Sequence, residues 1–339
     1  MWKIKNNTNK QYLHKFETEI IIPIFGMIRD YVIEIESGKI ELPLERVDLW
    51  KTTDIFLKLS DAQKNLLSYI MQKTVSGRKL QDLFYLVVVT FNSSYVEAIF
   101  RIYKEQNGKV FAGNYDIQPI QIDDYFKELF VTYFYNTCFA DDYVWDILVG
   151  EGYNRKSFHK NFKIENKMVV CPYCDIEITI AGSNNNIEHF LPKSKYPLIA
   201  MNPLNLISSC YACNKADEGK GDRIPQFPIV SPYNEMIGES AQFDVDFLSK
   251  RIALRNKGNQ AHHNYFKFLK LYSRYADPIV FRSVDHAAES LFETLSNYPS
   301  PTKESIDSYI QKRERMNNLS FALKSIISKY PQYKAYKST

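Results

Sequence analysis

Apolar positions recur at helical spacing over much of the first half of this 339-residue chain. Leu66, Leu67, Ile70 and Met71 repeat at intervals that place them on one helical face. Ser60-Asp61-Ala62-Gln63, just ahead of them, has the spacing of a capping box, in which a hydroxyl and a carboxamide satisfy the open amides of a first turn. Asp123 and Asp124 can start another helix, because negative charge is favoured at a helix N-terminus. That helix would run through Phe130, Tyr133 and Phe134. Residues 83–91 (LFYLVVVTF) are an unbroken apolar run that fits either a buried strand or a buried helix.

The texture changes near residue 161. Lys167-Met168-Val169-Val170 reads as a short strand leading into Cys171, and residues 182–186 (GSNNN) as a turn, since Gly and Asn tolerate positive φ. Pro192, Pro197 and Pro203 forbid a continuous helix through the next segment. Residues 171–228 thus predict a compact, loop-rich unit whose small core needs a staple. Beyond Pro232 the helical spacing returns. Tyr265, Phe266, Phe268, Leu269 and Tyr272 share a face, 278–295 fits a second helix, and Ser300-Pro301 is a good start for a third running past Ile310 and Met316 towards Tyr330. The expected organisation is a mostly helical region over 1–165, a stapled unit over 166–232 and a helical region over 233–339.

Composition adds two constraints. A hydrophobic share of 45% and a charged share of 24% exclude disorder, and 24 Tyr with 22 Phe predict aromatic cores. The net charge of +4 falls entirely after residue 170, the preceding part being neutral, and a basic excess suits a phosphate-rich partner. No apolar stretch has the length of a membrane span, and Met1 is not followed by the pattern of a secretory signal. Four of the five cysteines form two C-x-x-C pairs, which read as metal ligands in a reducing compartment, so a cytoplasmic protein is expected. Cys138 has no partner at motif spacing and reads as a small buried apolar residue.

The pairs Cys171-Pro172-Tyr173-Cys174 and Cys210-Tyr211-Ala212-Cys213 are two metal-binding knuckles. Zinc takes four soft ligands in a tetrahedron, and each knuckle supplies two thiolates from one tight turn. A site closed by four cysteines has no open position for water or substrate, so the expected zinc is structural. The thirty-five residues between the knuckles (175–209) imply something folded there.

That intervening stretch contains IEHFLPKSKYP and then NL before the second knuckle, and CN closes that knuckle with Asn214 just after it. It resembles the cysteine-bracketed branch of the HNH endonuclease family, and most closely the HNH subunits of Septu-type and retron-associated anti-phage systems. The resemblance matches Glu188-His189, Asn205 and Asn214 to the family's motif positions. It implies an α+β fold, mostly helical, with a small embedded ββα-metal unit stapled by the four cysteines. It also implies hydrolysis of DNA phosphodiester bonds, with His189 as general base because a neutral imidazole accepts a proton from water. Glu188, next along a strand and so facing the opposite way, would ligate a catalytic cation together with Asn214. Oxygen ligands suit Mg²⁺ or Mn²⁺. Asn205 would brace the connecting loop, although Asn is also a common turn residue. The family usually has Asp before the His and often His at the last position; Glu188 and Asn214 depart from both.

Lys193, Lys195, Lys215, Lys220 and Arg223 surround the motif and are candidates for phosphate contacts, or else solvated surface charges. His262-His263 lacks an acidic or cysteine partner at helical spacing and reads as packing or surface. The resemblance further implies an ATPase-type partner that controls the nuclease. The contrasting expectation is a non-catalytic, zinc-stapled module that binds nucleic acid, RNA included, or bridges proteins.

Overall fold

A computed structural model describes residues 1–41, 48–150, 152–180 and 185–336. The chain is α+β, dominated by helices, with three two-stranded sheets among the described residues. It divides into two compact units: Asn6–Phe162 with His189–Leu206, and Met1–Lys5 with Lys163–Glu188 and Ile207–Thr339.

The first unit is helical. α1 (Asn7–Phe16) passes through a π-helical turn, Glu17–Ile21, into α2 (Ile22–Glu36). Pro23 follows that widened turn; its missing N–H and its ring interrupt the regular ladder, and the wider turn absorbs the interruption. Next come α3 (Asp54–Lys58), α4 (Asp61–Met71), the small hairpin of β1 (Thr74–Val75) and β2 (Arg78–Lys79), α5 (Leu80–Thr90) and α6 (Ser93–Phe111). α7 (Asp124–Lys127) continues as a π-helix, Glu128–Thr137, and α8 (Asp142–Val149) precedes α9 (Arg155–Asn166), which begins in this unit.

Local chemistry accounts for several of these boundaries. Ser60 and Gln63 form the capping box at α4, with the Gln63 amide donating to Ser60 Oγ at 3.4 Å and the Ser60 amide donating to Gln63 Oε1 at 3.2 Å. Asp123 caps α7 by accepting from the Tyr125 amide at 2.8 Å. The ambiguous run 83–91 is helical: Leu83, Phe84, Val87 and Val88 make one buried stripe, while Val89 is exposed. Aromatic rings fill the core, as the composition predicts. Phe25 stacks on Phe100 at 4.9 Å and on Phe126 at 5.7 Å, and Phe130 meets Phe134 edge-on at 5.4 Å. Cys138 is buried there, and desolvation pushes its thiol up to about 12, which makes it inert.

The second unit carries both knuckles. β3 (Asn185–His189) and β4 (Leu206–Cys210) form a two-stranded sheet, almost all of it in this unit, and α10 (Tyr211–Asn214) is a single turn. β5 (Ala241–Asp246) and β6 (Arg251–Asn256) make an antiparallel hairpin in register from Ala241↔Asn256 to Asp246↔Arg251. α11 (Gln260–Phe268), α12 (Leu271–Tyr275), α13 (Pro278–Ser296), α14 (Lys303–Arg313) and α15 (Ser320–Ile326) complete it.

Several sequence expectations need correction here. Lys167–Val170 is not a strand; only Val170 is bridged, to Ile178. Asn185 and Asn186 open β3 rather than a turn, and 182–184 lie outside the described residues. The β5–β6 hairpin was not expected, although Ile252 and Leu254 are buried between exposed Arg251, Ala253 and Arg255 in strand alternation. Lys270, at φ 53, breaks the expected helix between α11 and α12. Thr302, not Ser300, caps α14, and positive φ at Arg315 and Leu319 ends the expected continuation towards Tyr330. No single helix among the described residues is long and apolar enough to cross a membrane.

Phe130 is fully buried among three other aromatic rings. Phe130→Ala should therefore lower the unfolding free energy by about 3–5 kcal/mol, read from chemical denaturation of the intact chain.

Candidate metal centre and surrounding residues

Cys171, Cys174, Cys210 and Cys213 are all buried, and their sulfurs lie within 4.8 Å of one another. Cys171 and Cys213 Sγ are 3.9 Å apart, as are Cys174 and Cys210 Sγ. A tetrahedron with zinc–sulfur bonds of about 2.3 Å has edges of about 3.8 Å, so the four thiols already match the cage of a zinc ion. No other group of three or more His, Cys, Asp or Glu side chains with such geometry occurs among the described residues.

The surroundings suit four thiolates. The Cys210 amide donates to Cys171 Sγ at 3.3 Å, and the Ile176 amide donates to Cys174 Sγ at 3.4 Å. Arg274 from α12 donates to Cys213 Sγ at 3.0 Å and reaches Cys174 Sγ at 3.7 Å. Burial works against its charge, but the Cys174, Cys213 and Cys210 thiolates outweigh that and hold the guanidinium above its ordinary pKa. Four thiolates around a dication leave two negative charges, and Arg274 offsets one of them. The hydroxyls of Tyr265 and Tyr275 donate to the carbonyls of Tyr173 and Cys174 at 2.8 and 2.7 Å, fixing the first knuckle from α11 and α12. Asp175, in the left-handed region at φ 61, accepts from Trp2 Nε1 at 2.7 Å and from the Phe321 amide at 3.1 Å. Burial pushes its carboxyl up to about 7, against the pull of those hydrogen bonds. None of these supporting residues belongs to a motif; only the helical spacing of Tyr265 and its neighbours hinted that this face was buried.

Glu188 lies in the same unit, in β3. Its carboxylate forms an ion pair of 2.6 Å with Lys220, the two side chains being 8% and 1% exposed. The chain builds this pair from the second knuckle. The Lys220 amide donates to the Cys213 carbonyl at 2.9 Å, and Gly219 passes so close that a Cβ there would lie 2.1 Å from the same oxygen. Only glycine permits that approach. The carboxylate expected to hold Mg²⁺ or Mn²⁺ thus already has a cation, and the residue set does not fit a further divalent ion beside Glu188 while Lys220 remains there. Asn214, the other expected ligand, ends α10 half-buried, and its side chain makes no hydrogen bond among the described residues.

His189 and Asn205 lie in the helical unit. His189 is 3% exposed, and its Nε2 sits 2.9 Å from the Ala200 carbonyl oxygen. A carbonyl can only accept, so the neutral ring carries its proton on Nε2 and its basic lone pair on Nδ1. Asn205 is fully buried and uses both ends of its amide. Its Oδ1 accepts from the Leu191 amide at 2.8 Å, and its Nδ2 donates to the carbonyls of Leu191 at 3.1 Å and Ile199 at 3.3 Å. It therefore ties down the loop after His189.

The basic candidates have different surroundings. Lys193 donates to Asn136 Oδ1 at 3.2 Å and lies over the Tyr135 ring, while Lys195 is exposed. Lys215 pairs with Glu218 at 3.0 Å, and Arg223 donates to the Phe268 carbonyl at 2.9 Å. Lys220 is the exception, since its ammonium is buried against Glu188 and not presented to a surface phosphate. His262, which the spacing left without a partner, meets Glu235 at 2.8 Å through the tertiary fold.

Fold and site define an α+β protein with a buried four-cysteine centre able to hold a structural zinc. No known family profile matches the chain, and no solved structure matches it. Two curated proteins are similar over a short part. Protein ea31 of Escherichia phage lambda is 43% identical over 51 residues, 15% of this chain and 16% of that protein. Septu protein PtuB of Bacillus thuringiensis is 37% identical over 62 residues, 18% of this chain and 23% of that protein. The chain thus matches less than a quarter of the length of either relative.

Arg274→Met should weaken zinc binding by about 10–100-fold in a competition with a chromophoric chelator, the usual effect of removing a group that supports the ligands. Lys220→Met leaves a buried carboxylate without its counter-ion. It should cost about 3–5 kcal/mol in denaturant unfolding at saturating zinc, and Glu188→Leu in the same chain should recover most of that loss.

Proposed function

We propose that this chain is an HNH-type endonuclease that hydrolyses phosphodiester bonds in DNA, acting as the nuclease component of an anti-phage defence system with an ATPase-type partner. The observation that carries the reading is the state of His189. With Nε2 held by the Ala200 carbonyl at 2.9 Å, the imidazole is fixed in the tautomer whose Nδ1 can take a proton from water. The carbonyl also stabilises the imidazolium that this transfer creates. Asn205 supports the same loop with three hydrogen bonds and limits the orientations open to the ring. The zinc cage takes no part in the chemistry, because four cysteines close it. The defence context rests on the partial similarity to Septu protein PtuB.

A second reading, the non-catalytic zinc-stapled module that binds nucleic acid or bridges proteins, is favoured by one observation. Glu188 is engaged with Lys220 and not open to a ligand.

Cleavage of supercoiled plasmid separates the two. Zinc-loaded protein, supplied with Mg²⁺ or Mn²⁺ and its partner, should convert the plasmid to open or linear form. His189→Ala should reduce the rate by about 10²–10⁴-fold at unchanged zinc content. Equal rates for the two proteins would remove the nuclease reading.

A further inference from the structure

Within the knuckle-bearing unit, a cavity of about 350 Å³ lies between residues 223–226 and the last turn of α11. Three of its lining side chains, Arg223, Lys267 and Lys270, are cations, and none is a carboxylate. One Arg223 amino group donates to the carbonyls of Phe268, at 2.9 Å, and of Gly219. Lys270, in the left-handed region at φ 53 between α11 and α12, donates to the carbonyls of Ala216 at 2.9 Å and Asp217 at 2.8 Å. Lys267 donates to Gln226 Oε1 at 3.3 Å.

All of these acceptors are neutral. A carbonyl or carboxamide oxygen orients a cation but leaves its charge in place, and each of the three groups carries more N–H donors than these bonds use. Other cations of the unit have anionic partners: Lys215 has Glu218 at 3.0 Å, and Lys324 has Glu314 at 3.6 Å. Asp217 and Asp222 are exposed and line no part of the cavity. Burial alone holds the Arg223 guanidinium below its ordinary pKa, as for a cation whose desolvation no counter-charge offsets. Three such charges on one cavity repel one another, and an anion between them would relieve the repulsion. A guanidinium offers phosphate oxygens a planar fork, and an ammonium offers a point charge. Arg223, Ile224, Gln226 and Lys267 are exposed, so the cavity opens on the surface and admits a phosphate that is part of a long chain.

We propose that Arg223, Lys267 and Lys270 form a site for a backbone phosphate of DNA on the knuckle-bearing unit. This rests on the reading that the chain acts on DNA, and not on the role of His189. Of the basic residues singled out by their position near the motif, it selects Arg223, and it adds two lysines that lie far from that motif in sequence.

The test measures binding of a short labelled DNA duplex to the zinc-loaded full chain in the His189→Ala background, over a series of salt concentrations. Arg223→Gln and Lys267→Gln should each weaken binding and reduce the slope of log affinity against log salt by about 1, because one phosphate contact is lost. Arg223→Lys should keep the slope. So should Lys312→Gln, which removes an exposed lysine of α14 that lines no part of the cavity. Zinc content and melting temperature report folding in parallel. If Arg223→Gln does not fold without its carbonyl ties, Lys267→Gln, at an exposed side chain, still decides the outcome. Unchanged slopes in the cavity variants, or an equal fall in Lys312→Gln, overturn the proposal. Deoxyadenosine monophosphate added at fixed ionic strength should leave the duplex bound; displacement would assign the cavity to a free nucleotide and overturn the proposal as well. A parent that binds with the expected slopes but whose His189-intact form never cuts would overturn the nuclease reading alone; a parent that does not bind DNA would overturn both.

Discussion

Four buried thiolates converging on one point are the constraint on which the knuckle-bearing unit depends. Without a dication, thiolates held this close repel one another; with one, they join two stretches of chain that are far apart in sequence. The rest of the unit is arranged to support that point. Backbone amides and Arg274 donate to the sulfurs, while Tyr265 and Tyr275 hold the first knuckle by its carbonyls. Helix α11 delivers Tyr265, and α12 delivers Arg274 and Tyr275. Hydrogen bonds from α11 and α12 tie both knuckles to the rest of the unit, beside apolar side chains that the segment buries itself, such as Tyr173 and Ile207.

The ion pair of Glu188 with Lys220 changes how the motif between the knuckles is read. Removing two charges from water is expensive, and such a pair persists where geometry is good and the partners are otherwise unsatisfied. Here a glycine against the Cys213 carbonyl sets Lys220 in place, so the pair is tied to the fold of the second knuckle. His189 meets the ring of Tyr135 edge-on, and Arg155 and Lys193 both lie over that ring. The residues of one short motif thus serve different ends: Glu188 is held by a buried lysine, while His189 is oriented by a backbone carbonyl.

Much of this was legible from spacing. The two C-x-x-C pairs announced the four-sulfur cluster because each knuckle is a local turn whose ligands lie three residues apart. Ser60 with Gln63 and Asp123 announced their helices for the same reason: a cap is a contact between near neighbours. Where a local rule competed with another local rule, spacing gave way. LFYLVVVTF fitted both a strand and a helix until burial of one stripe decided it, and Lys270, Arg315 and Leu319 broke helices that their side chains alone would have continued.

The sequence by itself determined the cysteine cage and the mostly helical character, because these follow from residue type and short-range period, whereas His189 stood out as a candidate base through the resemblance of its motif. Only the tertiary structure decided that Lys220 faces Glu188 and not solvent, that Arg274 serves the thiolates, that His262 meets Glu235, and that Arg155 and Lys193 share one aromatic ring. Each of these joins side chains at least 20 residues apart. Charge and hydrogen-bonding capacity are written in the residue, but the partner that satisfies them is chosen by packing across the fold.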